Sequence, residues 1–207
     1  DYYALMTSPP SPYSPPLLQT YPFYVLMETL GQDAAKDKIV FEEFLENSLE
    51  NGLIADATIA QSQQELDWFW KIRENVELIF SVHDPVFLFD VSLAISDMDE
   101  YIKKIRFELE SIWPDLHFYT FGHMGDGNLH LYVSCGNNDL PTKQHVEEIV
   151  YKPLQQLGGS ISGEHGIGLE KRPWLYLSRN AEEVQLMKTI KKILDPKGIL
   201  NPGKLFE

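Results

Sequence analysis

Phe121-Gly122-His123-Met124-Gly125-Asp126-Gly127-Asn128-Leu129-His130 reads as a β-hairpin. Asp126-Gly127 is a strong two-residue turn signal, because type I′ geometry needs positive φ at both central positions. With that pair at the tip, Gly125 faces Asn128, Met124 faces Leu129 and His123 faces His130. Cross-strand partners share a face with β-carbons roughly 4.5–5.5 Å apart. Three readings stay open for the two imidazoles. They bind one metal ion, with nitrogens about 2.0–2.1 Å from it if it is zinc, or they form a hydrogen-bonded pair, or they are ordinary satisfied histidines beside a turn.

Outward from the hairpin, residues 118–122 and 129–133 are its arms. Upstream, residues 86–95 form a dense apolar strand, followed by a helix that Ser96 and Asp99 could cap and whose inner face is Ile102, Ile105, Leu109 and Ile112. Downstream, a helix over 142–157 carries Val146, Ile149, Val150 and Leu154, with Pro153 expected to kink it or end its regular bonding. The last helix starts at Asn180, boxed with Glu183, carries Val184, Met187 and Ile190, and stops at Asp195-Pro196. Earlier still, residues 21–29 and 57–60 read as strands. They bracket a helix with Phe41, Phe44, Leu45 and Leu49 at helical spacing and Gly52 at its end. Ser62 with Glu65 starts another helix ahead of Leu66, Phe69 and Trp70. This order predicts an α+β fold, a mixed, largely antiparallel sheet covered by helices, and by element order alone a duplicated ferredoxin-like arrangement.

The chain has 207 residues, enough for a sizeable core. Residues 1–20 hold Pro9, Pro10, Pro12, Pro15 and Pro16, and such a stretch is expected to be an extended arm or linker ahead of a domain over 21–207. Starting in a linker without methionine, the chain reads as a piece of something longer. A net charge of -14 argues against nucleic acid and anionic membrane partners, since a phosphate backbone would be repelled. The single cysteine, Cys135, excludes an intramolecular disulfide and fits a reducing compartment.

A second cluster of chemistry-bearing residues is Ser160-Ile161-Ser162-Gly163-Glu164-His165-Gly166-Ile167-Gly168. Adjacent strand residues face opposite ways, so Glu164 and His165 converge only if the backbone bends, which Gly163, Gly166 and Gly168 permit. Two hairpin histidines with this histidine and carboxylate make a nitrogen-and-oxygen donor set suited to Zn²⁺, Mn²⁺, Fe²⁺ or Co²⁺. The plainer alternative is a buried Glu-His hydrogen bond in a glycine loop. The loop could also cradle a phosphate, although it matches neither a Walker loop nor a Rossmann fingerprint. Lys171 and Arg172 could hold an anionic group, and Arg73 is a further candidate. His83, His117 and His145 read as structural, and no serine elbow occurs.

Residues 122–130 (GHMGDGNLH), 162–172 (SGEHGIGLEKR) and 194–204 (LDPKGILNPGK), with Asp90-Val91-Ser92-Leu93 and the helix around Arg73-Glu74, resemble the C-terminal half of FAD-linked 2-hydroxyacid dehydrogenases. These belong to the vanillyl-alcohol-oxidase-like flavoproteins, in the branch of D-2-hydroxyglutarate and D-lactate dehydrogenases. The resemblance implies a substrate or cap domain whose partner is an N-terminal FAD domain. It implies that His123, His130 and Glu164 hold a divalent metal (zinc first, manganese or cobalt next) and that His165 stands beside flavin and substrate as the base. It also implies that Asn201 approaches the isoalloxazine and that Lys171 or Arg172 balances the carboxylate of a small anionic 2-hydroxyacid. A cytoplasmic enzyme, peripheral to a membrane through an unknown electron acceptor and compatible with a homodimer, is the matching expectation. A catalytically silent cap fragment and a non-redox metal-binding module remain as alternatives.

Overall fold

The computed structural model describes residues 1–206. The chain divides into two compact units, Asp1–Leu78 and Ile79–Glu207. The first is helical. It holds α1 (Tyr2–Met6), α2 (Ala34–Glu50) and α3 (Gln63–Glu74). Asp33 caps α2 by accepting the Lys36 amide, and Gly52 ends it at φ 66 with its N–H on the Leu49 carbonyl. Ser62 accepts the Glu65 amide at the start of α3, but the Glu65 carboxylate accepts from Gln61 rather than closing a box on Ser62.

Two expectations fail in this unit. Residues 21–29 and 57–60 form no strand, and Phe23 and Val25 stay exposed. Aromatic and β-branched composition favours a pleated backbone but supplies no partner to pair with. Residues 1–20 are also more structured than an extended arm. α1 precedes the prolines, and the Tyr3 hydroxyl both donates to the Leu17 carbonyl and accepts from its amide.

The second unit carries α4 (Glu77–His83, which begins just before it), β1 (Phe87–Ser92), α5 (Ile95–Ile112), β2 (His117–His123), β3 (Asn128–Ser134) and α6 (Leu140–Gln156). It ends with α7 (Gly168–Lys171), a 3₁₀ turn over Arg172–Leu177 and α8 (Ala181–Leu194). The sheet is antiparallel throughout, in the order β1-β3-β2. Ser160, after α6, makes one antiparallel bridge to Ser92 on the free side of β1. The path is therefore one βαββαβ unit whose fourth strand has shrunk to a bridge. The expected α+β class holds. The duplication does not, because the first round has no strand among the described residues.

Phe89, Val91, Leu131, Val133 and Phe118 face inward, into a core completed by α5 and α6. Ile105 and Leu109 of α5 are fully buried as expected, whereas Ile112 is 40% exposed. The helix begins at Ile95, so Ser96 and Asp99 lie inside it and Met98 and Tyr101 join the core instead. The Tyr101 hydroxyl is satisfied by the Val150 carbonyl at 2.8 Å. α6 starts on Asp139, which accepts the Thr142 amide, and runs through Pro153 to Gln156. α8 has the expected capping box between Asn180 and Glu183 and stops at Asp195, yet none of its residues is buried. The opposite sheet face, free of α5 and α6, carries Asp90, Asn128, His130 and His123, and there the chemistry collects.

Candidate metal and substrate site

The hairpin arms lie where expected, but the turn is longer. Met124–Asp126 form a 3₁₀ turn and only Gly127, at φ 72, takes a left-handed conformation. Asp126 therefore does not adopt the type I′ geometry, and four residues rather than two separate the strands. Pairing shifts accordingly. His123 faces Asn128, and His130 faces Phe121 on one side and Asp90 on the other. Side chains alternate with period two, so a two-residue shift leaves both histidines on the same face. Their ring centroids are 5.6 Å apart, edge to face. Gly122 permits the tight neck, since a Cβ there would lie 2.1 Å from the Asn128 carbonyl oxygen.

The glycine-rich loop bends around a side chain absent from the expected set. Asp90 is only 1% exposed, and its carboxylate accepts from the amides of Gly163 (3.1 Å), Glu164 (3.1 Å) and His165 (2.9 Å). The Ser162 hydroxyl and the Lys171 ammonium donate to it as well, each at 3.2 Å. The loop does cradle an anion, as its composition allowed, but the anion belongs to the chain itself. Burial pushes the Asp90 carboxyl up, yet the His165 amide, Lys171 and the Glu164 amide outweigh it and hold it below the usual range. Lys171 moves against its partner's pull. Burial draws its ammonium down by more than Asp90 raises it.

The loop brings Glu164 to the histidines. Its Oε1 lies 3.0 Å from His130 Nε2, 3.8 Å from His165 Nε2 and 3.9 Å from His123 Nε2. Two donors about 2.1 Å from one tetrahedral ion stand about 3.4 Å from each other. The distances from Glu164 to the three imidazoles, 3.0 to 3.9 Å, bracket that value. Asp90, His130, Glu164 and His165 also offer ligand atoms within 4.8 Å of one another. The five donor groups all bond Asp90 Oδ2, and Oδ1 takes only a second contact, 3.3 Å from the Glu164 amide. Asp90 Oδ1 therefore stays among the candidate donors, with His123 beside Glu164. The corner is graded: the His130 side chain is 9% exposed, while those of Glu164, His123 and His165 are half-exposed or more.

The remaining expected residues divide. Lys171 donates to the Asp90 carbonyl, the Asp90 carboxylate and the Ser162 hydroxyl, which uses its three N–H bonds and leaves none for a substrate carboxylate. Arg172 Nη1 donates to the Gly203 carbonyl, joining the loop to the terminal motif. In that motif Asn201 is left-handed at φ 47, and Asp195 gathers the Ile199 and Leu200 amides. Arg73 lies on α3, in the other unit. His83 ends α4, bonds the Tyr119 hydroxyl at 2.8 Å and packs on His117, while His145 meets Trp113. Burial pushes the Cys135 thiol up to about 11, which removes it as a thiolate nucleophile. The residue that sequence reasoning missed is Asp90. Its signals were a carboxylate in the middle of an apolar strand and its place in the Asp90-Val91-Ser92-Leu93 segment that resembles the family, neither of which gave it a role.

Residues 9–205 match the family described as FAD linked oxidases, C-terminal domain. A probable mitochondrial D-2-hydroxyglutarate dehydrogenase of Oryza sativa subsp. indica is 39% identical over 197 residues, covering 95% of this chain and 34% of its own length. A D-2-hydroxyglutarate dehydrogenase of Xanthomonas citri is 36% identical over 93% of this chain and 41% of its own. A putative mitochondrial D-lactate dehydrogenase of Schizosaccharomyces pombe is 37% identical over 91% and 38%. The chain thus spans about a third to two-fifths of the length of the curated relatives it matches. Mitochondrial and bacterial relatives both occur, so the cytoplasmic expectation gains no support from them. Among the described residues no helix is long and apolar enough to cross a membrane. With residues 9–205 matching its model, the chain belongs to the FAD-linked oxidase C-terminal domain family.

Proposed function

We propose that this chain is the substrate-side part of an FAD-dependent dehydrogenase that oxidises a D-2-hydroxyacid, of the hydroxyglutarate or lactate type, to the 2-oxoacid. The observation that carries this reading is the convergence of His123, His130 and His165 on one oxygen of Glu164, in a chain of an FAD-linked oxidase family. When bound, FAD supplies the two-electron acceptor, and a divalent ion held by His123, His130 and Glu164 supplies Lewis acidity at the substrate hydroxyl.

The chain's own residues bind, orient and move the proton. His165, the most exposed imidazole of the cluster, accepts the hydroxyl proton at Nε2. Its Nδ1 lies 3.9 Å from the Asp90 carboxylate. His130, held between Asp90 and Phe121 in the sheet, is the fixed wall of the site. Arg172 is the cation assigned to the substrate carboxylate, because the N–H bonds of Lys171 are taken. FAD is bound mainly by a preceding domain, and the electrons leave through an acceptor outside this chain.

The test uses the full-length enzyme. Chelation is expected to abolish turnover of D-2-hydroxyacids, and Zn²⁺, Mn²⁺ or Co²⁺ to restore it; equal turnover in metal-free protein would falsify the metal-assisted reading. His165→Asn is expected to slow flavin reduction about 10²–10⁴-fold with near-normal metal content. Loss of metal content in that variant would make His165 a ligand rather than the base.

A further inference from the structure

Glu164 and His165 are placed by a side chain on a different element. Three consecutive amides, those of Gly163, Glu164 and His165, point at the Asp90 carboxylate. Two of them belong to the proposed ligand and the proposed base. The backbone is tied as well, since the Gly163 amide also lies 3.2 Å from the Asp90 carbonyl. Asp90 itself cannot wander. It sits in β1 directly opposite His130 of β3, and its side chain is buried.

We infer that Asp90 is the positioning residue of the site: its carboxylate gathers the 163–165 amides and so sets where the Glu164 carboxylate and the His165 imidazole stand relative to His130 and His123. The consequence for metal affinity rests on the metal-centred reading above, whereas the clamp geometry does not. A run of successive amides forms a concave anion site. Here the chain's own carboxylate fills it, so an anionic substrate is kept off the back of the loop and left to the histidine-lined front. Lys171 completes the device. It neutralises the buried charge and donates to both the Asp90 carbonyl and the Ser162 hydroxyl, whose single proton is shared between the carboxylate and the Gly166 carbonyl. A loop merely stapled to the sheet would need only one such contact, away from the ligands. Here two of the three amide contacts come from the residues that carry the proposed ligand and the proposed base.

The experiment compares the wild-type chain with Asp90→Ala, Asp90→Asn and the double variant Asp90→Asn/Lys171→Met. Amide exchange is followed at Gly163, Glu164 and His165, with Leu131 as the core reference, and Co²⁺ is titrated by its visible absorption. In Asp90→Ala the three amides are expected to lose protection while Leu131 keeps its own. Co²⁺ then binds about 10–100-fold more weakly, with an altered visible spectrum. The double variant keeps an acceptor oxygen and leaves no unpaired buried ammonium, so protection and affinity return to within about threefold of wild type. A folded Asp90→Ala chain with protected loop amides overturns the proposal, as does a double variant no better than the single alanine. Should Asp90→Ala not fold, Asp90→Asn takes its place. That variant leaves Lys171 buried and unpaired, and it must be weaker than the double variant. If the wild-type chain takes up no Co²⁺, the metal reading fails and the positioning role is decided by amide protection alone.

Discussion

Space is what Gly163 contributes. A Cβ built on it would lie 2.7 Å from Asn128 Oδ1 and 2.8 Å from Asp90 Oδ1, two oxygens whose surroundings are buried. Gly163→Ala is therefore expected to destabilise the chain by about 1–3 kcal/mol in urea unfolding. Gly125 is the matching control. A Cβ there meets nothing within 4 Å, and Gly125→Ala should change stability by less than about 0.5 kcal/mol. Asp90 gives a pH signature at the same scale. Its carboxyl is held below its unfolded value of about 3.9, so its stabilising contribution is present above that pH. As pH falls through the lower folded value the contribution is lost. Acid unfolding of wild type should thus be steeper with pH than that of the Asp90→Asn/Lys171→Met variant, and identical slopes would count against the shift. Little of this was legible in the sequence. Asp90 and the loop it gathers are more than 70 residues apart, and a lone carboxylate in an apolar strand does not say what it holds.

Elements with strong local signals lie where the sequence put them. The Asn180–Glu183 box is complete, with both bonds at 2.8 Å, because its chemistry is contained within four residues. Since α8 has no buried residue, the cap is a large share of what holds its first turn. Asn180→Ala is expected to cost about 0.5–2 kcal/mol of helix stability. Faster amide exchange at Val184, with Leu131 unchanged, would show the loss to be local. Elements that depend on distant partners were read less well. Residues 21–29 have strand composition but no strand to pair with, and the hairpin turn follows from backbone geometry over four residues rather than from the Asp-Gly pair alone. The expected His123–His130 pairing fails, yet the two histidines still share a face because the register moved by an even number.

In the molecule as a whole, the core cluster and every residue of the metal corner lie within Ile79–Glu207. A chain trimmed to residues 79–207 is therefore expected to fold cooperatively and to bind Co²⁺ within about threefold of the 207-residue chain, since it keeps this core cluster and all of these side chains. Circular dichroism with a metal titration tests this, and a trimmed chain that folds without binding Co²⁺ would assign the missing donors to the first unit. The bridge between Ser160 and Ser92 has one more consequence. β1 borders the sheet, and its outer backbone groups at Ser92 and Asp90 are taken by Ser160, Gly163 and Lys171. Strand borders with unmet backbone groups recruit strands from other molecules. The loop that carries the proposed ligand and base thus also covers part of this border, and a variant that loosens it is expected to aggregate at a lower concentration than wild type.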